Sequence, residues 1–426
     1  MLSTLRNSWK IPDLKKRMIF TLLMVVIVRV GIFIPVPGVD ASKLVSLTSN
    51  GGTLFSFYDM LSGGAFSKFS IFAMGVGPYI NASIIMQLLV IAIPYLEQLS
   101  KEGLEGRKKI QDYTRYASIV LGVLQAFGMY AIIAGTGAFS DKSSLTIFLV
   151  VLTMTTASTF LVWIGDQITG KGIGNGVSLI IFINIISALP STAYKIAGLQ
   201  KAGTVNFVEV IMFIVVAMAL LVSVVIASLS ERRIPVQYAG KAIGDKVFKG
   251  QSTHIPINVN GSGVIGIIFA MSVMTFPATI AQLKPTSAIA KFITGSPWSI
   301  FETNSWKYSV VYAILIVFFT WFYTQVTFKP DEMAENMSKS SGFIPGIRPG
   351  ENTASYIDNV LTKISIIGGC FAAVIALFPI IVEGYTQFKG IYFGGTMLLI
   401  MVNVALETLR QLESQLVMRH YKGFLK

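Results

Sequence analysis

Ten runs of mostly apolar residues alternate along the chain with polar stretches: Met18 to Pro35, Phe69 to Ile93, Tyr116 to Gly135, Leu145 to Ile164, Gly176 to Leu189, Phe207 to Leu229, Ile255 to Ile280, Tyr308 to Phe328, Ile364 to Val382 and Phe393 to Leu409. A hydrocarbon core about 30 Å thick needs roughly 20 apolar residues per helical crossing, so the pattern predicts ten transmembrane helices. The fifth run is short and follows the glycine-rich GKGIGNG (Gly170 to Gly176), which predicts a span that is tilted or shielded by neighbours. The second run is interrupted by Gly75, Gly77 and Pro78, and the stretch before it, from Leu54, breaks at Gly63 and Gly64. Lipid cannot satisfy a backbone opened by Gly or Pro, so this span is expected to face a cavity. The piece folded in ahead of it reads either as a stopper for that cavity or as a re-entrant segment that serves packing.

Composition agrees with a membrane protein: 53% of the 426 residues are hydrophobic and 13% charged, against about 25% charged in soluble domains. The start, LSTLRNSWKIPDLKKR, leads into a long span without a small-residue cleavage site, so no signal peptide is expected there. The net charge of +13 is unevenly placed. With alternate loops assigned to opposite faces, 24 basic residues share the face of both termini, nine lie on the other face, and Arg29 lies within the first span. Loops rich in Lys and Arg stay cytoplasmic, which puts both termini in the cytoplasm and explains the charge without a nucleic-acid partner. The single cysteine, Cys370, excludes an intrachain disulfide and makes a metal cluster improbable.

Two cytoplasmic loops exceed what topology needs, about 230–254 with ERRIPVQYAGK and about 329–363 with SGFIPGIRPGENTASYID. Their mixture of basic, aromatic, aliphatic and Pro residues suits docking of a folded partner, or a basic loop resting on anionic lipid. Five plus five spans also allow two halves of opposite orientation, although the halves share no convincing sequence identity.

Candidate chemistry is sparse. His254 and His420 have no metal-ligand partner at a productive spacing. Ser262 lacks an intramembrane base, and GKGIGNG lacks the Lys-Ser/Thr pair of a phosphate cradle, so no enzyme, metal or cofactor is expected. Arg29 is the one clear formal charge within the spans, where Asn81, Gln87, Asn184, Asn260 and Asn403 supply uncharged polar groups. Ion-coupled transport uses ionisable groups near the midplane, and a pore without a charge ring is a poor ion filter. Aliphatics in the interrupted spans, such as Val76, Ile80 and Ile268, would make either a dry constriction or ordinary helix core.

FYDMLSGGAFSKFSIFAMGVGPYINASIIMQLL, KEGLEGRKKIQDYTRY, GIGNGVSLIIF, ERRIPVQYAGK, FPATIA, SGFIPGIRPGENTASYID and FGGTMLLI stand in an order that resembles the bacterial SecY family over nearly the full length. The resemblance implies an all-α polytopic membrane protein, with ten transmembrane helices in two inverted five-helix halves (1–190 and 191–426) around a central hourglass pore, and a re-entrant plug helix at about 53–67. It implies a protein-conducting channel of the bacterial plasma membrane that moves unfolded secretory chains and releases signal or membrane helices sideways into lipid. A pore ring is then expected from Val76, Ile80, Val177, Ile181, Ile268 and Ile400, a plug carrying Tyr58, Leu61 and the joint Gly63-Gly64, and a lateral gate with Gln87 and Asn260. Arg232, Arg233 and Arg348 match the docking region for the SecA motor ATPase and the ribosome. SecE, SecG, a preprotein with its signal sequence and membrane lipids complete the implied partners. The competing classes are a secondary solute transporter with inverted halves and an insertase without a through-pore.

Overall fold

The computed structural model describes residues 6, 8–39, 59, 62–134, 139, 143–238, 241–243, 246–248, 252–261, 263–283, 305–386 and 394–422. In chain order these form α1 (Pro12–Gly31), α2 (Gly77–Ala92), α3 (Pro94–Lys101), α4 (Leu104–Ala134), α5 (Ser144–Lys171), α6 (Gly176–Lys201), α7 (Phe207–Leu229), β1 (Glu231–Tyr238), β2 (Lys241–Ile243), β3 (Lys246–Phe248), β4 (Ser252–Asn258), α8 (Gly263–Leu283), α9 (Trp306–Phe328), α10 (Pro330–Lys339), β5 (Gly342–Phe343), α11 (Glu351–Tyr385) and α12 (Gly395–Lys422). Among them, ten helices of 16 residues or more follow the ten apolar runs. By length and apolar content α5, α6, α7, α9 with α10, and α11 each suffice for a crossing, and α2 with α3, bent by 99°, makes a sixth if taken as one span. The rest are less uniformly apolar: α1 carries Lys15, Lys16, Arg17 and Arg29, and the apolar part of α8 is Gly263–Met274.

Several boundaries differ from the sequence expectation. The second span begins at Gly77, because 62–76 form successive turns with positive φ at Gly63, Gly64, Phe69 and Gly75. The seventh begins at Gly263, since Ile255 belongs to β4. The fifth is 26 residues long with Pro190 inside it. Ser187 donates to the carbonyl of Asn184, and Ser191 and Thr192 both donate to that of Ala188, so hydroxyls cluster on the backbone around the proline. A division of the chain at 190/191 therefore cuts α6; the turn after Lys201 is the first break.

The unexpected element is a small sheet, in strand order β4-β1-β5, built from the two long loops. Ile234, Val236 and Ile257 on its inner side pack against Met337, Ile344, Ile357 and Leu361, joining the loops to the start of α11.

Within the helical body, α12 divides its face between two clusters. Met397, Ile400 and Val404 pack with residues of α1, α5 and α6; Leu399 and Val402 pack with residues of α7, α8, α9 and α11. The glycine-rich lead-in to α6 is a seat for that helix. The Asn175 side chain accepts from Ser178 N, Gly176 N donates to Thr169 Oγ1, and Ile173 N donates to Thr21 Oγ1 of α1. A Cβ at Gly176 would strike the carbonyl of Gly165, and one at Gly165 would lie 2.9 Å from Val177 Cγ2. Gly176→Ala is accordingly expected to destabilise the helical body by about 1–3 kcal/mol through overpacking, seen as a lower melting temperature in detergent. Gly170→Ala, where an added Cβ meets nothing within 4 Å, is expected to leave it unchanged.

Candidate functional site

One apolar cluster gathers most of the aliphatics singled out from the sequence. Val76, Ile181 and Ile400 are buried in it, and Ile80 and Val177 pack partly buried against it. Helical spacing explains the pairs: residues four apart share a face, so Val76 and Ile80 point together from the start of α2, as do Val177 and Ile181 from the start of α6. Ile268 is half-buried, and Val264 and Met271 on either side of it along α8 pack against the same cluster. These side chains bring no formal charge and no hydrogen-bonding group into the cluster, so the space between them is one that water enters at a cost.

The geometry that aims α2 at this cluster lies in the chain before it. The carbonyl of Gly75, at φ +55°, accepts from Ser158 Oγ of α5 at 2.9 Å. Gly31 lets the Phe72 ring lie against the end of α1, since any Cβ there would enter that ring. The turn around Gly63 and Gly64 is closed on Asp59: Gly64 N donates to its carbonyl at 2.7 Å, Ser62 Oγ to the same carbonyl at 2.9 Å, and Ser67 N to its Oδ1 at 2.6 Å. Gly63 and Gly64 have φ of +69° and +83°, which fits a joint that only glycine occupies without strain. Residues 62–67 form turns and not a helix. Tyr58 and Leu61, expected in the plug, lie outside the described residues.

Between α2 and α8 the structure places a polar contact other than the expected one. Ser272 Oγ of α8 donates to Asn81 Oδ1 of α2 at 3.2 Å. Gln87 is exposed and donates to Ser83 one turn back on its own helix. Asn260 is 2% exposed, close against Gly263, and its amide has no hydrogen-bond partner among the described residues. The sequence marks Asn81 as a polar group at depth, but helical periodicity in one span cannot show which residue of another span it meets.

Beyond the bend into α3, Lys101 hydrogen-bonds Glu97 at 2.7 Å and holds its carboxyl below the ordinary range, with Lys329 at the end of α9 contributing in the same direction. Arg232, Arg233 and Arg348 are all exposed. Arg233 pairs with Glu231 at 2.6 Å, whereas Arg232 and Arg348 make no ion pair among the described residues. The Arg348 carbonyl accepts from Thr353 Oγ1 at 2.9 Å between the positive-φ glycines Gly346 and Gly350, so its backbone is fixed while its guanidinium is free. His254 lies exposed on β4; Ser262 lies outside the described residues.

An apolar cluster enclosed by long helices, with a turn-built segment seated beside it, fits a polytopic helical channel fold. Comparison with known proteins makes the class specific. The SecY family model matches residues 70–409. "Protein translocase subunit SecY" of Halalkalibacterium halodurans is 41% identical, with all of each chain covered, and that of Thermotoga maritima is 39% identical, covering all of this chain and 98% of its own. The chain belongs to the SecY family. Among solved structures, a protein-conducting channel aligns with TM-score 0.66 at 19% identity, covering 96% of each chain. Sec61 in a canine ribosome-channel complex aligns with TM-score 0.62 at 20% identity and the same coverage.

Cysteines in place of Asn81 and Ser272 are expected to form a disulfide on mild oxidation, read as a mobility shift after proteolytic cleavage between α2 and α8. The Gln87→Cys/Asn260→Cys pair is expected to react less completely.

Proposed function

We propose that this protein is the pore-forming subunit of a protein translocase, which passes unfolded secretory chains through the aliphatic cluster and releases signal or membrane helices sideways between α2 and α8. The observation that carries the reading is the meeting of Val76, Ile80, Val177, Ile181 and Ile400 in one apolar cluster, with the joint of the preceding segment packed beside it. Aliphatic side chains repack around a passing segment of any sequence while squeezing out water. Ile268 completes the ring from α8. The alternative of a solute carrier would require an ionisable or hydrogen-bonding group in the same place, and these side chains supply none.

The seam between α2 and α8 suits release into lipid. A hydrogen bond between helices in a membrane is worth about 0.6–2 kcal/mol, little enough for an arriving signal helix to replace the contact of Ser272 with Asn81. Gln87 and Asn260 are assigned to the same seam, on its cytoplasmic side. The halves hinge as two inverted bodies, spans one to five and six to ten, with the division after Lys201. The segment about 53–67, including Tyr58 and Leu61, is the plug. The charge split of the loops supports a bacterial plasma-membrane protein with both termini in the cytoplasm.

Energy for transport comes from a partner: the SecA ATPase, or chain elongation on a ribosome. Arg232, Arg233 and Arg348 on the sheet module are the contacts for them, because a guanidinium presents a planar fork to carboxylate or phosphate. SecE and SecG are the further subunits, in contact with the lipid-facing helices.

Ile80→Asn with Ile268→Asn is expected to raise resting ion conductance in planar bilayers about tenfold or more and to loosen signal-sequence selection; unchanged conductance and selection remove these residues from the seal. Arg348→Glu is expected to reduce SecA-driven uptake of preprotein into vesicles several-fold with thermal stability unaltered, since the side chain is exposed. Normal uptake removes it from the docking surface.

A further inference from the structure

Arg29 lies near the end of α1, within the helical body, and its side chain turns toward the plug joint. Its Nη1 donates to the carbonyl of Gly63 at 3.4 Å. The fit is close on the other side too: a Cβ added to Gly63 would stand 2.7 Å from Arg29 Nη1 and 2.9 Å from Asn184 Oδ1 of α6. Gly63 is thus seated between a guanidinium on α1 and a buried amide on α6, in a φ of +69° that side chains rarely adopt. Asn184 is three residues beyond Ile181, about 4.5 Å further along α6, so the seat lies about one turn past the level of Val177 and Ile181, on the side away from the basic loops and bordered by Val28, Ile32 and Ile185 of the same cluster.

We infer that Arg29 is a positioning residue for gating: its guanidinium holds the plug joint against the outer side of the constriction by gripping a backbone carbonyl. This rests on the channel reading above. A charged donor strengthens the hydrogen bond, and a cation inside the bilayer span is costly unless something occupies it, so the closed plug and Arg29 stabilise one another. When the plug leaves, the guanidinium loses this acceptor and faces the outer vestibule. There the carbonyls of a passing extended chain offer the same chemistry whatever their side chains. The grip on a carbonyl, in place of a carboxylate, keeps it weak enough to release, since hydrogen bonds with one charged partner contribute less than a buried ion pair loses when broken. Asp59 orders the joint from within, through the three bonds that close the turn, so the segment is presented to Arg29 in one shape.

The test uses the full chain with its co-purified subunits. Arg29→Gln is expected to increase resting conductance in planar bilayers about tenfold and to admit preproteins with defective signal sequences, with the melting temperature little changed. Arg29→Lys should restore most of the closure, since an ammonium can also donate to the carbonyl. Gly63→Ala, which displaces the guanidinium, should leak as Arg29→Gln does, and the double variant should leak no more than either alone. A lowered melting temperature without added leak, or leaks that multiply in the double variant, overturns the inference. Conductance is measured without a motor, so it is independent of the reading of the passenger. Leaky Arg29→Gln beside a wild type that transports no preprotein would uphold the grip and sink the translocase reading.

Discussion

Hydrocarbon satisfies no backbone group and solvates no charge, and that single constraint accounts for the way this chain is built around its apolar cluster. A conduit for many different polypeptides cannot be lined with fixed charges, which would select among them, or closed by strong bonds, which would not reopen. What remains is apolar contact, weak individually and indifferent to sequence. The structure gathers Val76, Ile80, Val177, Ile181 and Ile400 from three helices into one cluster. It meets the backbone's demands outside that cluster, through Ser158 on the Gly75 carbonyl and Thr169 on Gly176 N.

Glycine provides the close approaches that this arrangement needs. Gly165 and Gly176 bring α5 and α6 together at the point where Val177 turns inward, and Gly31 makes room for Phe72. The helices carrying the cluster are therefore positioned by backbone contact, whereas the cluster itself is held by side chains that can shift. At one end of the helical body the sheet module ties both long loops to α11 through Ile257, Ile357 and Leu361. A partner bound at Arg348 would thus push on a rigid extension of the helical body.

Much of this was legible in the residues. Apolar run length located the long helices, and the family resemblance singled out Val76, Ile80, Val177 and Ile181, whose spacing of four agrees with one face of each helix. Interruption by Gly75, Gly77 and Pro78 marked the span that starts inside the body. Other features were not, for physical reasons. The strands of the sheet lie in loops whose apolar residues are few, and Ile234 and Val236 alternate over too short a stretch for period two to stand out. Ile255 was absorbed into a helix because an apolar run carries no sign of where strand gives way to helix. The fifth apolar run ends at Leu189, yet α6 continues past it through Pro190 to Lys201, because a helix can extend beyond the apolar residues that mark it. The meeting of Asn81 with Ser272 joins residues 191 positions apart, which no local pattern encodes.

The central claim is that the passenger threads the aliphatic cluster, and site-specific crosslinking from a stalled chain tests it most directly. A photoreactive residue placed mid-way in an arrested preprotein should react with cysteine-tagged Val76, Ile181, Ile268 and Ile400, and not with Ile214 or Val215 on the exposed face of α7. Adducts concentrated on α7, or absent from the cluster while transport proceeds, would contradict it.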